Sequence, residues 1–184
     1  MNPIQKRKIT HLFNVLDVNR NKELQPDDFI AVANRISDLL EYPEKSRKRV
    51  ALQVRSFRLF VQLLADLQKE ETSITFDEWM RLFTVVLLKN EQIIKNYVRR
   101  TTAYIFMLFD HNNDHVVSEE EYINMFKVYN IDEEYARIAF KKLDENQDGV
   151  LSQDEVISGF HDFFLSGDSA AKGNWIFGKW DLEE

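Results

Sequence analysis

The sequence predicts an all-α protein of four helix–loop–helix units, arranged as two pairs packed into one compact globule with short loop-pairing β-strands. Apolar residues recur at the three- and four-residue spacing of an amphipathic helix, as in Ile9, Leu12, Phe13 and Leu16. A Phe-x-x-[Leu/Phe]-Asp frame recurs three times, which indicates an internal repeat. The 184 residues include only five Gly and three Pro, fewer than a turn-rich β protein needs.

The periodicity places two helices in each unit and divides the chain into three parts. The expected helices are 3–16, 26–41, 44–66, 76–89, 91–109, 119–129, 132–143 and 153–165. An N-terminal pair of units is expected over 1–90, a C-terminal pair over 91–165, and an apolar tail packed on the core over 166–184. Pro43 is expected to open the third helix, because proline favours the first helical position. The short joint near Lys89 favours halves that pack together.

The composition excludes several classes of function. A net charge of −7 opposes the basic face that nucleic acid requires, so no nucleic-acid partner is expected. Cysteine is absent, which excludes disulfides and thiolate metal centres and is compatible with an intracellular location. No apolar run approaches membrane-spanning length and no secretory signal begins the chain, so we expect a cytoplasmic protein without a transmembrane segment. The histidines form no constellation with a nucleophile, and no enzymatic activity is expected.

The fourth loop, residues 144–155, carries an unbroken metal-binding pattern. Ca²⁺ is a hard cation that takes about six to eight oxygen ligands, and a twelve-residue loop supplies them at set positions. Gly149, at the sixth position, allows the sharp turn that this loop requires. The alternative is an Asx-rich turn between helices without an ion. The expected ligands are Asp144, Asn146, Asp148, the backbone carbonyl of Val150, and Glu155.

The third loop, residues 110–121, has the same pattern with His115 in the glycine position. A non-glycine residue there must adopt the left-handed conformation, at a cost on the order of 1 kcal/mol. We interpret the imidazole as a solvent-facing turn residue, not as a ligand. The expected ligands are Asp110, Asn112, Asp114, the carbonyl of Val116, and Glu121.

The first loop, residues 17–28, is expected to be the weakest site for Ca²⁺ and to tolerate Mg²⁺. Its sixth residue is Lys22, and its twelfth is Asp28, whose short side chain reaches an ion less easily with both oxygens. Monodentate binding lowers the coordination number towards the octahedral geometry that Mg²⁺ prefers. The expected ligands are Asp17, Asn19, Asn21, the carbonyl of Glu23, and Asp28.

The second loop, residues 67–78, lacks the donors of the other three. Leu67 and Lys69 occupy its first and third positions, and neither side chain ligates Ca²⁺. Thr75 and Glu78 keep the S/T-x-x-E spacing of a helix capping box, so the helix start persists without an ion. This loop is therefore expected to act as a scaffold for the first. The expected strand pairs are Leu24 with Ile74 and Val117 with Leu151.

These residues resemble the sarcoplasmic calcium-binding protein family, which includes calexcitin-like proteins. The resemblance covers the whole chain: four units with a degenerate second, an Asp ending the first loop, a short joint, and the Ala-Lys-Gly-Asn-Trp-Ile-Phe-Gly segment of the tail, 171–178. It implies a compact, cytosolic EF-hand protein that binds Ca²⁺, with Mg²⁺ competing at some sites. From the three loops and the tail we expect a monomer that buffers about three Ca²⁺ ions. It also implies ligand roles for the side chains named above. The chain departs at Lys22 and His115, where family loops often carry Gly.

Two other functions stay open beside the calcium buffer. A sensor opens on binding Ca²⁺ and exposes a Met-rich groove for a protein target. This chain has four Met and an apolar tail able to fill such a groove from within, which favours a buffer. Calexcitin-like relatives are described as neuronal signalling proteins, so the sensor remains the first alternative. The fold also resembles that of coelenterazine-binding proteins and photoproteins, so a small-molecule, luciferin-like carrier is the second.

Two basic runs, residues 6–8 and 45–49, have no role in these loops. A run of this kind usually forms a solvated face, which is our interpretation of both. The second run lies near the start of a helix, and reversible contact with acidic lipids or with a partner is the alternative for it.

Overall fold

The computed structural model describes residues 1–87 and 90–181, and helices dominate it. In chain order the elements are α1 (Pro3–Leu16), β1 (Glu23–Leu24), α2 (Pro26–Leu39), α3 (Arg47–Leu67), β2 (Ile74–Thr75), α4 (Phe76–Arg81), a π-helical segment (Leu82–Leu87), α5 (Glu91–Phe109), β3 (Val117–Ser118), α6 (Glu119–Val128), α7 (Glu133–Leu143), β4 (Val150–Leu151), α8 (Gln153–Leu165) and a 3₁₀ helix (Lys172–Trp175). The expected joint at Lys89 and the last three residues of the expected tail lie outside the described residues.

Helix boundaries follow the sequence expectation except around α2, α3 and α4. The prediction that Pro43 opens the third helix is wrong: α3 begins at Arg47, because the Ser46 hydroxyl accepts a hydrogen bond from the Arg49 amide at 3.2 Å and caps the helix there. Helix α2 ends at Leu39, two residues before the expected end, and the fourth helix becomes π-helical after α4.

Each pair of loops is joined by a two-residue antiparallel ladder. Leu24 lies opposite Ile74, and Val117 lies opposite Leu151, as the sequence predicted. All four side chains are buried. Because each ladder pairs one edge of each of its two strands and buries apolar side chains, each loop depends on its partner for its position.

The two halves of the chain contribute to one core. Phe83 of the π-helical segment stacks on Phe164 of α8, with ring centroids 5.4 Å apart. Arg35 of α2 donates a hydrogen bond to the Val128 carbonyl of α6 at 2.8 Å. Buried aromatic rings of this kind supply much of the apolar area that stabilises a helical globule. The predicted fold class is therefore confirmed.

The segment after α8 folds back and packs on the C-terminal half. Ile176 and Phe177 are buried, and the Tyr122 hydroxyl donates to the Ile176 carbonyl at 2.8 Å. The 3₁₀ helix lies so close to α8 that a Cβ on Gly173 would be only 2.1 Å from the Gly159 carbonyl oxygen. A glycine is therefore required at residue 173 for this contact.

A buried lysine connects α1 with this segment. The Lys8 ammonium donates to the carbonyls of Asp162 and Ser166, at 2.9 and 3.0 Å, and to Asn174 Oδ1 at 2.6 Å. Carbonyls at the C-terminal end of a helix carry partial negative charge, which suits an ammonium group. The interpretation of residues 6–8 as a solvated face is wrong for Lys8, which lies one turn before Leu12 on the buried face of α1.

Among the helices of residues 1–87 and 90–181, none combines the length and apolar character that crossing a bilayer requires.

Candidate metal centres

The fourth loop, between α7 and α8, is folded around its own carboxylate and amide oxygens. Asp144 accepts backbone hydrogen bonds from Asp148 at 3.2 Å and from Gly149 at 3.1 Å, one on each oxygen. Asn146 Oδ1 accepts from the Asp148 amide at 2.9 Å, and Asp148 Oδ1 accepts from the Val150 amide at 3.0 Å. These bonds hold the candidate ligand oxygens of the first, third and fifth loop positions within one tight turn.

The twelfth residue closes this loop where α8 begins. Glu155 Oε1 accepts from the Glu145 amide at 3.0 Å, and Oε2 accepts from the Ser152 amide and hydroxyl at 2.8 and 2.7 Å. Burial alone would raise the pKa of Glu155, but hydrogen bonds from Ser152, Glu145 and Asn146 outweigh it and lower that pKa. The closing carboxylate therefore stays ionised, as a cation ligand must.

The third loop repeats this network with different residues. Asp110 accepts from the Asp114 amide at 3.2 Å and from the His115 amide at 3.1 Å. Glu121 accepts from the His111 amide at 2.9 Å, and through its other oxygen caps α6. His115 is exposed and has a φ of 67°, the left-handed conformation expected at the sixth position.

The first loop has the same turn but a different closing residue. Asp17 accepts from the Asn21 amide at 3.1 Å and from the Lys22 amide at 2.8 Å, and Lys22 has a φ of 69°. Asp28 accepts from the Gln25 amide at 2.8 Å and is almost fully buried. Burial raises the pKa of Asp28, and the neighbouring Asp17 carboxylate adds to the rise. Protons therefore compete for this closing carboxylate more than for that of the fourth loop.

In the second loop, a lysine side chain contacts the glutamate at the twelfth position. Helix α3 runs through Leu67, and Gln68 ends it in the left-handed conformation, so the first loop position belongs to the helix. Lys69 Nζ lies 2.6 Å from Glu78 Oε2, which also accepts from the Thr75 amide and hydroxyl at 2.9 Å. The hydrogen bond from Lys69 lowers the pKa of Glu78.

Sequence reasoning recognised that Lys69 cannot ligate a cation but missed its contact with Glu78. The signal was present, because the third and twelfth residues of such a loop are both ligands of one ion and must lie close together. A lysine at the third position can therefore reach the closing carboxylate.

The candidate metal-ligand atoms in the first, third and fourth loops are all oxygen atoms. Carboxylate, amide and carbonyl oxygens suit hard cations such as Ca²⁺ and Mg²⁺, whereas zinc centres favour nitrogen and sulfur. Within the described ranges, no three acidic or histidine side chains converge closely enough to form a metal centre by themselves. Any centre in these loops thus depends on amide and backbone oxygens as well. The side chains named from the sequence do share one turn in each loop, and their role as ligands stays a prediction.

Comparison with known proteins agrees with this description. The family model for the EF hand matches residues 137–160, which include the fourth loop. No curated protein sequence matches the chain. Among solved structures, the coelenterazine-binding protein from Renilla muelleri in its Ca-loaded apo form has 21% identity and a TM-score of 0.80, over 97% of this chain and 99% of that one.

Two further structures have the same fold. The sarcoplasmic calcium-binding protein from amphioxus has 15% identity and a TM-score of 0.74, over 97% of this chain and 99% of that one. The Ca²⁺-regulated photoprotein mitrocomin from the jellyfish Mitrocoma cellularia has 20% identity and a TM-score of 0.70, over 97% and 92%.

The chain has the EF-hand fold, and its unit at residues 137–160 matches the EF-hand family model. At these identities the likeness concerns the fold. That fold is the one shared by the sarcoplasmic calcium-binding proteins and the photoproteins, and the resemblance predicted from the sequence is confirmed at that level.

Proposed function

We propose that this protein is a cytosolic Ca²⁺ buffer that binds three ions, in loops 17–28, 110–121 and 144–155, with Mg²⁺ as a competitor. One observation carries the proposal. In each of these loops the first carboxylate accepts the amides of the fifth and sixth residues. The second loop, which is described in full, has Leu67 at that first position instead.

The proposed ligands follow from the positions in that common turn. The first, third, fifth and twelfth side chains and the seventh carbonyl supply the oxygens, and water completes the shell. They are Asp17, Asn19, Asn21, Glu23 and Asp28 in the first loop, Asp110, Asn112, Asp114, Val116 and Glu121 in the third, and Asp144, Asn146, Asp148, Val150 and Glu155 in the fourth.

The first loop is proposed to bind Ca²⁺ most weakly and to be the main site of Mg²⁺ competition. Its side-chain carboxylates at ligand positions are only Asp17 and Asp28, and Asp28 is the shorter kind of closing residue. The raised pKa of Asp28 adds proton competition. Fewer charges and a lower coordination number both reduce the preference for Ca²⁺ over the smaller ion.

A buffer is favoured over a sensor by the contacts of the C-terminal segment. A sensor must expose an apolar groove when calcium binds. Here Ile176 and Phe177 are buried, His11 Nε2 lies 2.7 Å from the Phe177 carbonyl, and Tyr122 contacts the Ile176 carbonyl. Because α1, α6 and α8 all contact this segment, releasing it would break bonds to several helices at once.

A luciferin-like carrier is the second candidate, supported by the likeness to the coelenterazine-binding protein. Such a carrier needs an internal cavity. Among the described residues, buried aromatic rings contact one another: Trp79 and Phe83 have centroids 4.9 Å apart, and Phe83 and Tyr97 are 5.8 Å apart. This packing supports the buffer. An absorbance scan of the natively purified protein tests the carrier directly, because a bound chromophore would be visible.

The proposal is tested by calorimetric Ca²⁺ titration of chelator-treated protein, with and without millimolar Mg²⁺. Three sites are expected, and Mg²⁺ should weaken the first loop most. Glu155→Gln and Glu121→Gln should each remove one site, and Asp28→Asn should weaken the Mg²⁺-sensitive site. Glu78→Gln is the matched control and should leave all three.

Each outcome of this titration is informative. A wild-type stoichiometry of two ions that Asp28→Asn leaves unchanged would remove the first loop from the proposal. No calcium uptake at physiological salt would refute the proposal as a whole. A gain of apolar-dye fluorescence on loading would favour the sensor over the buffer.

A further inference from the structure

An exposed row of apolar side chains runs along α3. Val50, Val54, Phe57 and Val61 are 48, 44, 42 and 44% exposed. Their spacing of four, three and four residues places them on one face, and the helix is about 31 Å long. They are half of the large apolar side chains exposed in the described residues. The opposite side of α3 is buried against the core and α2, so this row is a second apolar face without a partner.

A row of basic side chains lies directly beside the apolar row. Successive helical residues are turned by about 100°, which places Arg47, Arg58 and Arg55 next to the valines around the helix. All three are exposed, and Arg47, Arg55 and Arg58 line the same shallow groove as Val50 and Val54. This basic face belongs to a chain whose net charge is −7, so the positive charge is local.

Among residues 1–87 and 90–181, no acidic side chain forms an ion pair with Arg47, Arg55 or Arg58. The sequence of α3 contains one acidic residue, Asp66, which forms an ion pair with Arg100 at the far end of the helix. Asp38 of α2 pairs with Arg49, which lies on the side facing α2. The exposed arginines therefore keep their charge available for an anionic surface.

The chemistry of this face selects among occupants. A second copy of the chain would bring two basic rows together, and like charges oppose that arrangement. Protein partners are usually anchored by large aromatic side chains in deep pockets, but this groove is shallow and holds valines. A flat apolar row beside a basic row fits the boundary between lipid headgroups and acyl chains.

We propose that this face of α3 docks the protein reversibly on an anionic phospholipid surface. The valines and Phe57 would enter the headgroup–acyl boundary, and the arginines would contact lipid phosphates and carboxylates. Helix α3 ends at the second loop, whose closing carboxylate is held by Lys69. Because no ion is needed there, docking is expected in the absence of calcium.

The test is co-flotation of the full-length protein with lipid vesicles in the presence of a chelator, which prevents calcium from bridging protein and lipid. One set of vesicles contains phosphatidylcholine only, and the other contains phosphatidylcholine with about one third phosphatidylserine. Binding is expected only to the second set and should weaken as salt is raised, because the surface attraction is screened.

Two variants test the two rows separately. Arg55→Gln with Arg58→Gln should reduce partitioning about 25-fold, or about fivefold for each charge. Val54→Asn with Phe57→Asn should also reduce it while leaving both arginines in place. Arg99→Gln with Lys141→Gln is the matched control, because it removes two exposed positive charges from other helices. All these side chains are exposed, so folding should be retained, and circular dichroism checks this.

Three results would overturn the proposal. Equal binding to both sets of vesicles, or to neither, would remove the anionic surface as the occupant. If the control variant lost as much vesicle binding as Arg55→Gln with Arg58→Gln, binding would depend on the overall charge of the protein and not on this face of α3. Self-association that Val54→Asn with Phe57→Asn abolishes, without vesicle binding, would assign the face to a second copy.

Discussion

Lys69 Nζ lies 2.6 Å from Glu78 Oε2 in the second loop, between the same two loop positions whose side chains are proposed to share an ion elsewhere. An ammonium group attached to the chain thus neutralises the closing carboxylate. The paired ladder between Ile74 and Leu24 then links this loop to the first. In the N-terminal pair, the second loop is therefore held by the ammonium group of its own lysine. The first loop is proposed to be held by an exchangeable metal ion.

Lys69→Met is expected to destabilise the protein by about 1 kcal/mol, because it leaves a partly buried carboxylate without its charged donor. Urea denaturation in chelator measures the loss. Lys95→Met is the matched control: its 2.6 Å pair with Glu91 is much more exposed, so its loss should destabilise the protein less than Lys69→Met does.

The loss caused by Lys69→Met should also depend on pH. The pKa of Glu78 is lowered from 4.5 in the folded protein, so its stabilising effect is present above that value and disappears as pH falls through the folded pKa. The stability difference between wild type and variant should therefore shrink in acid. A difference that is constant from neutral pH to pH 3 would contradict the ion pair.

Local patterns allowed much of this structure to be predicted. The turn of a loop is fixed by side chains and amides within twelve residues, so the Asp-x-Asn pattern predicted the backbone at His115 and Lys22. The strand pairs followed from the apolar eighth position of each loop. Helix starts were predicted where a Ser or Thr precedes a Glu by three residues.

Two features required the tertiary structure. Lys8 binds oxygens that lie 154 to 166 residues away in the chain, and nothing local indicates that C-terminal carbonyls surround it. Helix α3 carries two apolar rows, one through Phe60 and one through Val54. Periodicity identifies both rows but cannot say which of them faces the core.

The burial of Lys8 predicts an unusual rise of stability in alkali. Burial lowers the pKa of Lys8 to about 8, from an ordinary value of 10.5. Between these values the unfolded chain binds more protons than the folded one at this residue, so its contribution to the unfolding free energy increases with pH, by up to about 3 kcal/mol. Urea denaturation at pH 7 and pH 10 measures it.

Variants separate this effect from other groups that titrate in the same range. Lys8→Met should lack this rise in unfolding free energy, so the stability of wild type relative to the variant should increase between pH 7 and pH 10. Lys6→Met, which removes an exposed charge from the same helix, should keep the rise. Equal pH dependence in wild type and in Lys8→Met would show that the ammonium keeps an ordinary pKa.

The sixth loop position should tune calcium affinity in opposite directions in the third and fourth loops. His115 has a φ of 67° and Gly149 a φ of 84°, and a non-glycine residue in this region is strained by about 1 kcal/mol. His115→Gly should therefore tighten the third site about fivefold. Gly149→Ala should weaken the fourth by a similar factor, since a Cβ there meets no atom within 4 Å and only backbone strain acts.

Calorimetric titration of the two variants measures both changes. The unaltered loop in each variant serves as its internal control. If His115→Gly weakened the third site, the imidazole would have to contribute to binding, against its interpretation as a solvent-facing turn residue.

Gly173→Ala should lift the C-terminal segment from α8. The new Cβ would lie 2.1 Å from the Gly159 carbonyl oxygen, which is backbone and cannot swing aside. Overpacking of this kind costs about 1–3 kcal/mol, and moving the segment would uncover the surface that Ile176 and Phe177 now bury. Apolar-dye fluorescence in chelator should therefore rise above that of wild type.

Ser169→Ala is the control for Gly173→Ala. Ser169 is an exposed residue of the same segment, so its replacement should cause no clash and should leave dye binding unchanged. If the segment is a permanent part of the core, as a buffer requires, calcium should not remove the difference in dye fluorescence between Gly173→Ala and wild type. If calcium loading of wild type produced the same fluorescence as the variant, the segment would be releasable. The chain would then behave as a sensor, because an ion would be doing what the substitution does by steric force.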